Sequence, residues 1–478
     1  MNNDKPLRTF LEIPYDELEE MNTRAAKRSK TELYSDLEKE YYAYLLKEKC
    51  IKAVTLCFSD IEGKFHMIDY DKKFLLVSSD NLTFDGSSIR GFTALRESDL
   101  RLKVDWASIR WLPSDIFGAG KVIMFADVLN RNKTAYESDM RLQLKLLVDD
   151  IQKKQGLTPY ASVEVEGFLM DGMNAEQHFR GGNGFKLVTG GGYYHSLPLD
   201  KLRMFIDHSA EAQRAMGFRN EKDHPEVAPS QFELNFSYDD VVRIGDQIQL
   251  YKLVCRQVAS SMGMTATFLP KPVTGVNGSG MHLNLSYFKN QKNIFYKKDG
   301  NEGLSPFAWE AIEKILNHAS ELCLILNSSV NAYRRLDPKF EAPNQIKVSP
   351  IDRGSMIRIP VGDEKSSRIE IRSIAPDSNP YLVLFSILKT IQMGNRLQKA
   401  EDKRERLRLL PDNIHDAIKI FKGSGFITKI LGESNKSKYV EHKQLVADRS
   451  PKNLGTRIKT GEVIYHHEVT NQMLWNTF

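Results

Sequence analysis

The chain has little of what would mark a specialised class of protein. Only four of its 478 residues are cysteine (Cys50, Cys57, Cys255 and Cys323), scattered through apolar stretches without metal-type spacing. That excludes a disulfide framework and a cysteine zinc site, and none lies in a Gly-rich or His-flanked loop that would activate a thiolate. Charge of one sign is missing too: 67 Lys and Arg stand against 62 Asp and Glu, with no sustained basic tract, so no nucleic-acid partner is expected. No apolar run approaches the roughly 20 residues of a membrane span, and Met1 to Phe10 lacks the apolar core of a signal peptide. The expectation is a cytoplasmic protein with no membrane partner. There is no Gly-x-x-x-x-Gly-Lys-Ser/Thr loop, Gly190-Gly191-Gly192 is not a dinucleotide fingerprint, and neither an internal repeat nor a low-complexity tract is present.

What is present is ordinary globular usage, 41% apolar and 27% charged, which rules out wholesale disorder at a length that allows two or three domains. Residues 1–48 form a charge-rich extension with one amphipathic helical stretch, Glu32 to Lys47. Ala53 to Asp60 and Lys64 to Tyr70 read as a hairpin around Ile61-Glu62-Gly63, and Lys121 to Val128 as a third strand closing a small α+β unit over 49–130. The polar segment Asn130 to Thr134 is the expected boundary. In 131–478, long helical patterns (about Ser138 to Lys154, Leu199 to Met216, Asp239 to Ser261, Pro306 to Leu326 and Asn379 to Leu397) alternate with short strands at Ser162 to Met170, Gln231 to Phe236, Met281 to Tyr287 and Arg368 to Arg372. That alternation reads as one large α/β domain.

Side chains on a strand alternate faces, so the polar faces can be written down directly. Glu164 and Glu166 share one. Gln231, Glu233 and Asn235 oppose the core residues Phe232, Leu234 and Phe236. His282, Asn284 and Ser286 oppose Met281, Leu283 and Leu285, and Arg368, Glu370 and Arg372 oppose Ile369 and Ile371. One such face is most simply a solvated sheet surface. Glu is depleted in strands, and four faces that carry acids, His and Arg in place of Thr and Lys point to a charged sheet lining a cleft. Clustered carboxylates need cations, and hard oxygen ligands with one imidazole suit Mg²⁺ or Mn²⁺. The arginines Arg335, Arg353, Arg358, Arg368 and Arg372 then point to an anionic substrate, and the combination to phosphoryl transfer.

Five ordered blocks carry a resemblance: Phe84-Asp85-Gly86-Ser87-Ser88-Ile89 with Glu97-Ser98-Asp99; Lys271-Pro272; Asn277-Gly278-Ser279-Gly280-Met281-His282; Glu341-Ala342-Pro343; and Asn379-Pro380-Tyr381-Leu382. From about Val54 to about Pro411 the chain resembles glutamine synthetase of type I, the bacterial type. The resemblance implies an α+β protein: a small N-terminal β-grasp domain plus a large catalytic domain with a curved antiparallel sheet flanked by helices, in a homo-oligomer of two stacked hexameric rings, a dodecamer. It implies ATP, glutamate and ammonium as substrates and two or more Mg²⁺ or Mn²⁺ ions per site. Glu166, Glu226 and Glu233 would hold one ion, and Glu164, His282 and Glu370 another among the ATP phosphates. Asn277, Gly278, His282, Arg335 and Arg372 would bind glutamate, Arg353 and Arg358 the phosphates, and Arg368 the nucleotide. Asp85, Ser88, Tyr193 and Glu341 would form the ammonium site and its closing flap, with Asp85, Glu341 and Arg353 taking catalytic parts.

The chain departs from that family at several points. Asn284 stands for a second histidine, Asp352 for an asparagine, Pro225 and Asp223 flank the approach to Glu226, Ser373-Ile374-Ala375-Pro376 replaces Phe-Pro-Asp-Pro, and Arg408 stands where some members carry an adenylylated tyrosine. Two other functions are weighed against ammonia ligation: a glutamate ligase for a larger amine such as a polyamine, and a structural relative without catalysis. Asp85, Tyr193 and Glu341 argue against the first and the six metal-ligand positions against the second.

Overall fold

The computed structural model describes residues 13–448 apart from 90, 93–98, 174, 176–184, 196–199, 337–341 and 397–406. Glu341 therefore lies outside the described residues. The extension folds as two helices, α1 (Tyr15–Thr31) and α2 (Tyr34–Lys47), of which only the second is expected from the sequence. Each buries a narrow stripe at helical spacing, Leu18, Asn22 and Ala25 on one and Leu37, Tyr41 and Leu45 on the other. A fully buried Asn is tolerated only when its amide is satisfied, and the Asn22 amide donates to Trp111 O at 2.9 Å and Ala215 O at 2.8 Å while accepting from Trp111 N at 3.0 Å. One side chain thus ties α1 to both halves of the molecule.

The small domain comprises β1 (Ala53–Ser59), β2 (Phe65–Asp71), α3 (Lys72–Ser78), β3 (Leu82–Asp85), β4 (Asp99–Val104), β5 (Arg110–Trp111), the single turn α4 (Ser114–Phe117) and β6 (Val122–Leu129). Its sheet runs β2-β1-β6-β4-β3, with β5 also on β6. β1 and β6 are parallel and the rest antiparallel, a β-grasp arrangement with three more strands than the sequence patterns reveal. β3 ends on Asp85, so the Asp-Gly block leaves the sheet edge as a turn.

The large domain opens with α5 (Met140–Gln155) and β7 (Leu157–Asp171), then α6 (Lys201–Ala215), β8 (Asn220–Pro225), β9 (Gln231–Phe236), β10 (Asp239–Asp240), α7 (Val241–Ser261), β11 (Met264–Thr267), β12 (Met281–Lys289) and β13 (Lys292–Asn293). There follow α8 (Pro306–Asn317), α9 (Ala319–Leu326), α10 (Val330–Arg335), β14 (Gln345–Ser349), β15 (Ser355–Arg358), β16 (Ile369–Ile371), α11 (Pro380–Met393), α12 (Ile414–Gly423) and α13 (Gly425–Ala447). The main sheet order is β14-β15-β16-β12-β7-β9-β8, antiparallel except for β14 on β15. The expected alternation of strands and helices is real, but its strands pair antiparallel, so the class is α+β and not the α/β that alternation alone implies. Helix Pro306 to Leu326 is in fact two: at His318 the backbone leaves helical dihedrals (φ −97°, ψ 10°) and the ring stacks on Phe426.

The long strand β7 switches partners along its length, pairing with β12 over Leu157–Val165 and with β9 over Glu166–Phe168, which bends the sheet around one face. The opposite face packs on α6 and α7 through Phe205, Phe232 and Tyr251, all buried. The small domain docks by its first hairpin. Gly63 sits at φ +91°, and a Cβ there would lie 2.6 Å from Asn379 Cα. Asn379 caps α11, accepting from Tyr381 N and Leu382 N with Pro380 in the first turn, while its amide donates to Asp60 O and Ile61 O at 3.1 Å.

Candidate active site

The concave face of the main sheet lines a cleft of about 450 Å³, within the range of small-molecule sites, roughly 300–1,000 Å³. Strand register assembles it. Arg358 on β15 stands opposite Glu370 on β16, Glu370 opposite Asn284 on β12, His282 opposite Glu164 on β7, Glu166 opposite Glu233 on β9, and Glu233 opposite His224 on β8. Residues far apart in the chain therefore form a nearly continuous polar row across six adjacent strands. All four polar faces read from the sequence point into or border this cleft.

Two groups of possible metal donors emerge, Glu164 with His282 and Glu370, and His224 with Glu226 and Glu233, and within each group the donor atoms lie within 4.8 Å of one another. The first is the trio implied by the resemblance. In the second, His224 stands where Glu166 is expected. The Glu166 carboxylate instead accepts from Gly280 N at 3.0 Å and Gln231 Nε2 at 3.1 Å, and lies 3.9 Å from His282 Nε2. His224 escaped the sequence reading because Asn-Glu-Lys-Asp-His-Pro looks like a loop; the signal was the alternation Lys222, His224, Glu226, all three of which line the cleft.

Burial and like charge act together on the acids. Burial, then the Glu226 charge, pushes Glu166 up to about 8 against the pull of Arg335. Burial raises Glu226, and burial with the charges of Glu166, Glu164 and Glu226 raises Glu233 well above the ordinary carboxyl range. Glu164 is held low: burial works the other way, but hydrogen bonds from His282 and Asn284 and the Arg358 charge outweigh it. Burial, then the Arg372 cation, lowers His282 and keeps its ring neutral, the form a metal ligand needs. The oxygen-rich donor set with one imidazole per group fits a hard divalent cation such as Mg²⁺ or Mn²⁺.

The cations line the same cleft. Glu370, fully buried, accepts from Arg358 Nε at 2.5 Å and Arg372 Nη1 at 2.7 Å. Arg335 donates through Nη2 to Arg372 O, yet among the described residues Arg335 Nη1 and Arg372 Nε are buried without a hydrogen-bond partner. Leaving such donors unmade costs about 1–3 kcal/mol each, which an incoming carboxylate or phosphate recovers. Burial lowers Arg335 only to about 10, so it stays a cation at neutral pH. Gly280 lets the Asn277 loop pass between these groups, since a Cβ there would lie 2.6 Å from Arg335 Nη2 and 2.7 Å from His282 Nε2. Asn277, Gly278, Arg353 and Arg368 line the cleft as well. Tyr193 lies at its rim, stacked on Tyr194 and edge-on to His224.

Asp85 and Ser88 do not line this cleft. They are exposed on the small domain, where Asp85 Oδ1 accepts from Ser87 N and Oγ and Oδ2 from Ser88 Oγ, bonds that hold the carboxylate below its usual range and therefore ionised.

Residues 137–453 match the glutamine synthetase catalytic domain and residues 50–131 the glutamine synthetase β-grasp domain. The chain belongs to the glutamine synthetase family. The glutamine synthetase of Thermotoga maritima is 34% identical over 88% of this chain and 97% of its own length, and that of Methanosarcina mazei 35% identical over 86% and 94%. In fold, the chain is similar to Plasmodium falciparum glutamine synthetase (TM-score 0.79, 21% identity, covering 90% of this chain and 98% of the other). It is also similar to a structure described as apo GmaS without ligand (TM-score 0.73, 23% identity, covering 89% and 98%).

Proposed function

We infer that this glutamine synthetase family member is an ATP-dependent glutamate–ammonia ligase of type I, forming glutamine through γ-glutamyl phosphate. The carrying observation is a single cleft that combines two carboxylate–imidazole groups with buried, unpartnered guanidinium donors. In this reading Arg335 and Arg372, with Asn277, Gly278 and His282, hold glutamate so that its γ-carboxylate faces the γ-phosphate of ATP, which converts a two-body encounter into an oriented one. Arg353 and Arg358 neutralise charge on the phosphoryl group in flight, and Arg368 steadies the nucleotide. Two or more Mg²⁺ or Mn²⁺ ions, held by Glu164, His282 and Glu370 and by Glu166, Glu226 and Glu233 with His224 beside them, supply charge neutralisation and in-line alignment of the phosphates.

Ammonium has no lone pair, so a carboxylate must bind it and take its proton. The ionised, exposed Asp85, with Ser88, suits that role. Because Asp85 stands away from its own chain's cleft, the reading places it in the cleft of a neighbouring subunit in a dodecamer of two rings. Tyr193, and Glu341 on its flap, would exclude water from the acyl phosphate. Free thiols at all four cysteines agree with a cytoplasmic location, and among the described residues no helix is long and apolar enough to cross a membrane.

The test is phosphate release from ATP with glutamate and a panel of amines. Turnover with ammonium that EDTA abolishes is expected. Preference for methylamine or putrescine would assign the chain to amine ligation, and no turnover with any amine would leave a structural relative.

A further inference from the structure

The structure points to a part for Asn284, the residue that stands where the family carries a second histidine. Asn284 lies on β12 opposite Glu370 and Ser162, on the face it shares with His282, and it is 4% exposed. Its Nδ2 donates to Glu164 Oε1 at 3.1 Å, and its Oδ1 accepts from Arg368 Nε at 3.0 Å. The orientation of the amide is dictated by its partners, since a carboxylate only accepts and a guanidinium only donates, so the flipped amide would set like against like on both sides. Glu164's other oxygen lies 3.3 Å from His282 Nδ1, so the carboxylate is clamped between two neighbours on one strand.

We propose that Asn284 is a positioning residue that couples the metal-binding carboxylate of Glu164 to the guanidinium of Arg368. The inference rests on the metal and nucleotide reading above. One planar amide fixes both groups at once. It keeps the Glu164 carboxylate aimed at the group it forms with His282 and Glu370, and it holds Arg368, whose Nη1 donates to Ser366 O, beside β12. Metal affinity and nucleotide affinity are therefore set by a shared hydrogen-bond relay, and loss of the relay disturbs both, as loss of an outer partner behind a metal ligand typically does by about 10–100-fold.

The experiment compares wild type, Asn284→Leu, Arg368→Met and the double variant by two readouts: Mn²⁺ binding to nucleotide-free protein, followed by electron paramagnetic resonance of the free ion, and KM for ATP against kcat. Asn284→Leu is expected to weaken Mn²⁺ binding at least tenfold and raise KM for ATP. Arg368→Met is expected to raise KM and to weaken nucleotide-free Mn²⁺ binding by less than Asn284→Leu does, because the Asn284 amide still holds Glu164, and the double variant to have a KM close to that of Asn284→Leu. Asn284→His, whose neutral ring keeps one donor and one acceptor, should recover part of the Mn²⁺ affinity, and Asn284→Ala, which removes both hydrogen bonds, takes the place of Asn284→Leu if the latter does not fold. Mn²⁺ binding within twofold of wild type in folded Asn284→Leu or Asn284→Ala, an Asn284→His variant that binds Mn²⁺ no better than these, or KM effects that simply multiply in the double variant, would overturn the proposal. Wild type that binds no Mn²⁺ would instead sink the metal reading beneath it.

Discussion

Two of the buried charge clusters among the described residues are built on opposite plans. At the seam between the domains, Arg141 on α5 donates to Asp127 at 2.7 Å, to Asp105 at 2.8 Å and twice to Asp246, at 2.8 and 2.9 Å. Lys145 adds contacts to Asp105 and Asp127, and Tyr381 OH donates to Asp246 at 2.7 Å. Every acid there faces a cation at bonding distance; burial alone would raise Asp105, yet Arg141 and Lys145 hold it at about 2. In the cleft, Glu166, Glu226 and Glu233 crowd one another and are pushed upward, while two guanidinium donors lack partners. The seam is closed within the chain. In the proposed reading the cleft is closed by ions and substrates, and that contrast is the one expected between a structural charge cluster and a functional one.

The largest test of the contrast is at the seam. Arg141→Met keeps most of the stem but removes the one cation shared by three buried carboxylates, leaving Lys145 to face two of them, and should cost about 3–5 kcal/mol in urea unfolding. A loss below about 1 kcal/mol, the range of exposed pairs, would put the seam in the same class as a surface salt bridge. The matching substitution in the cleft should behave in reverse. Glu233→Ala removes one of several like charges, so metal-free stability should change by less than about 1 kcal/mol while Mn²⁺ binding weakens at least as much as the roughly 10–100-fold seen for outer-shell losses. Unfolding of the variant would show that Glu233 belongs to the core.

A pH series sharpens the same difference. The folded carboxyls are raised above an unfolded value of 4.5, Glu166 to about 8, so protonation favours the folded state. The Glu166 contribution is fully present below about pH 4.5 and is lost as pH rises through about 8, and Glu226 and Glu233, raised in the same direction, likewise stabilise at low pH and lose that contribution as pH rises. Metal-free protein should lose stability across that window, and added Mn²⁺ should restore it increasingly toward the alkaline end, because binding expels those protons. A flat difference between metal-free and metal-loaded stability would contradict the assignment.

Subunit complementation tests whether the cleft needs a second chain. Asp85→Asn and Arg335→Ala chains, each nearly inactive alone, should regain up to roughly a quarter of wild-type activity when reassembled at random into mixed oligomers. No recovery in verified mixed oligomers would show that Asp85 works within its own chain. The smallest expected effect is none: with Arg408 in place of tyrosine, and its guanidinium donating to Leu316 O, no AMP adduct should be found by mass spectrometry of protein from its native source.

Legibility in the sequence followed how local each determinant was. Gln231 to Phe236 is a strand with the expected bounds because alternating Phe and Leu against Gln, Glu and Asn specify both period and face. Asn379-Pro380 read correctly as a helix start because capping is decided within four residues. β8 failed that test: its polar residues and Pro225 make no apolar alternation, and it is a strand only because β9 supplies the ladder. α1 was missed for a related reason, since its buried stripe includes Asn22, a polar residue whose partners Trp111 and Ala215 are remote in sequence.

By itself, then, the sequence determined which residue types face the cleft, because strand alternation is a property of single strands. It also determined the chemistry those residues can perform, because hard donors beside guanidinium groups suit few ligands. Tertiary structure alone decided which carboxylates share an ion site. Register places His282 against Glu164 and His224 against Glu233, and register is a relation between strands that no one strand encodes. Tertiary structure likewise decided that Arg141 and its aspartates lie at a seam while the glutamates line an open cleft, since burial of a charge depends on what the rest of the chain packs around it.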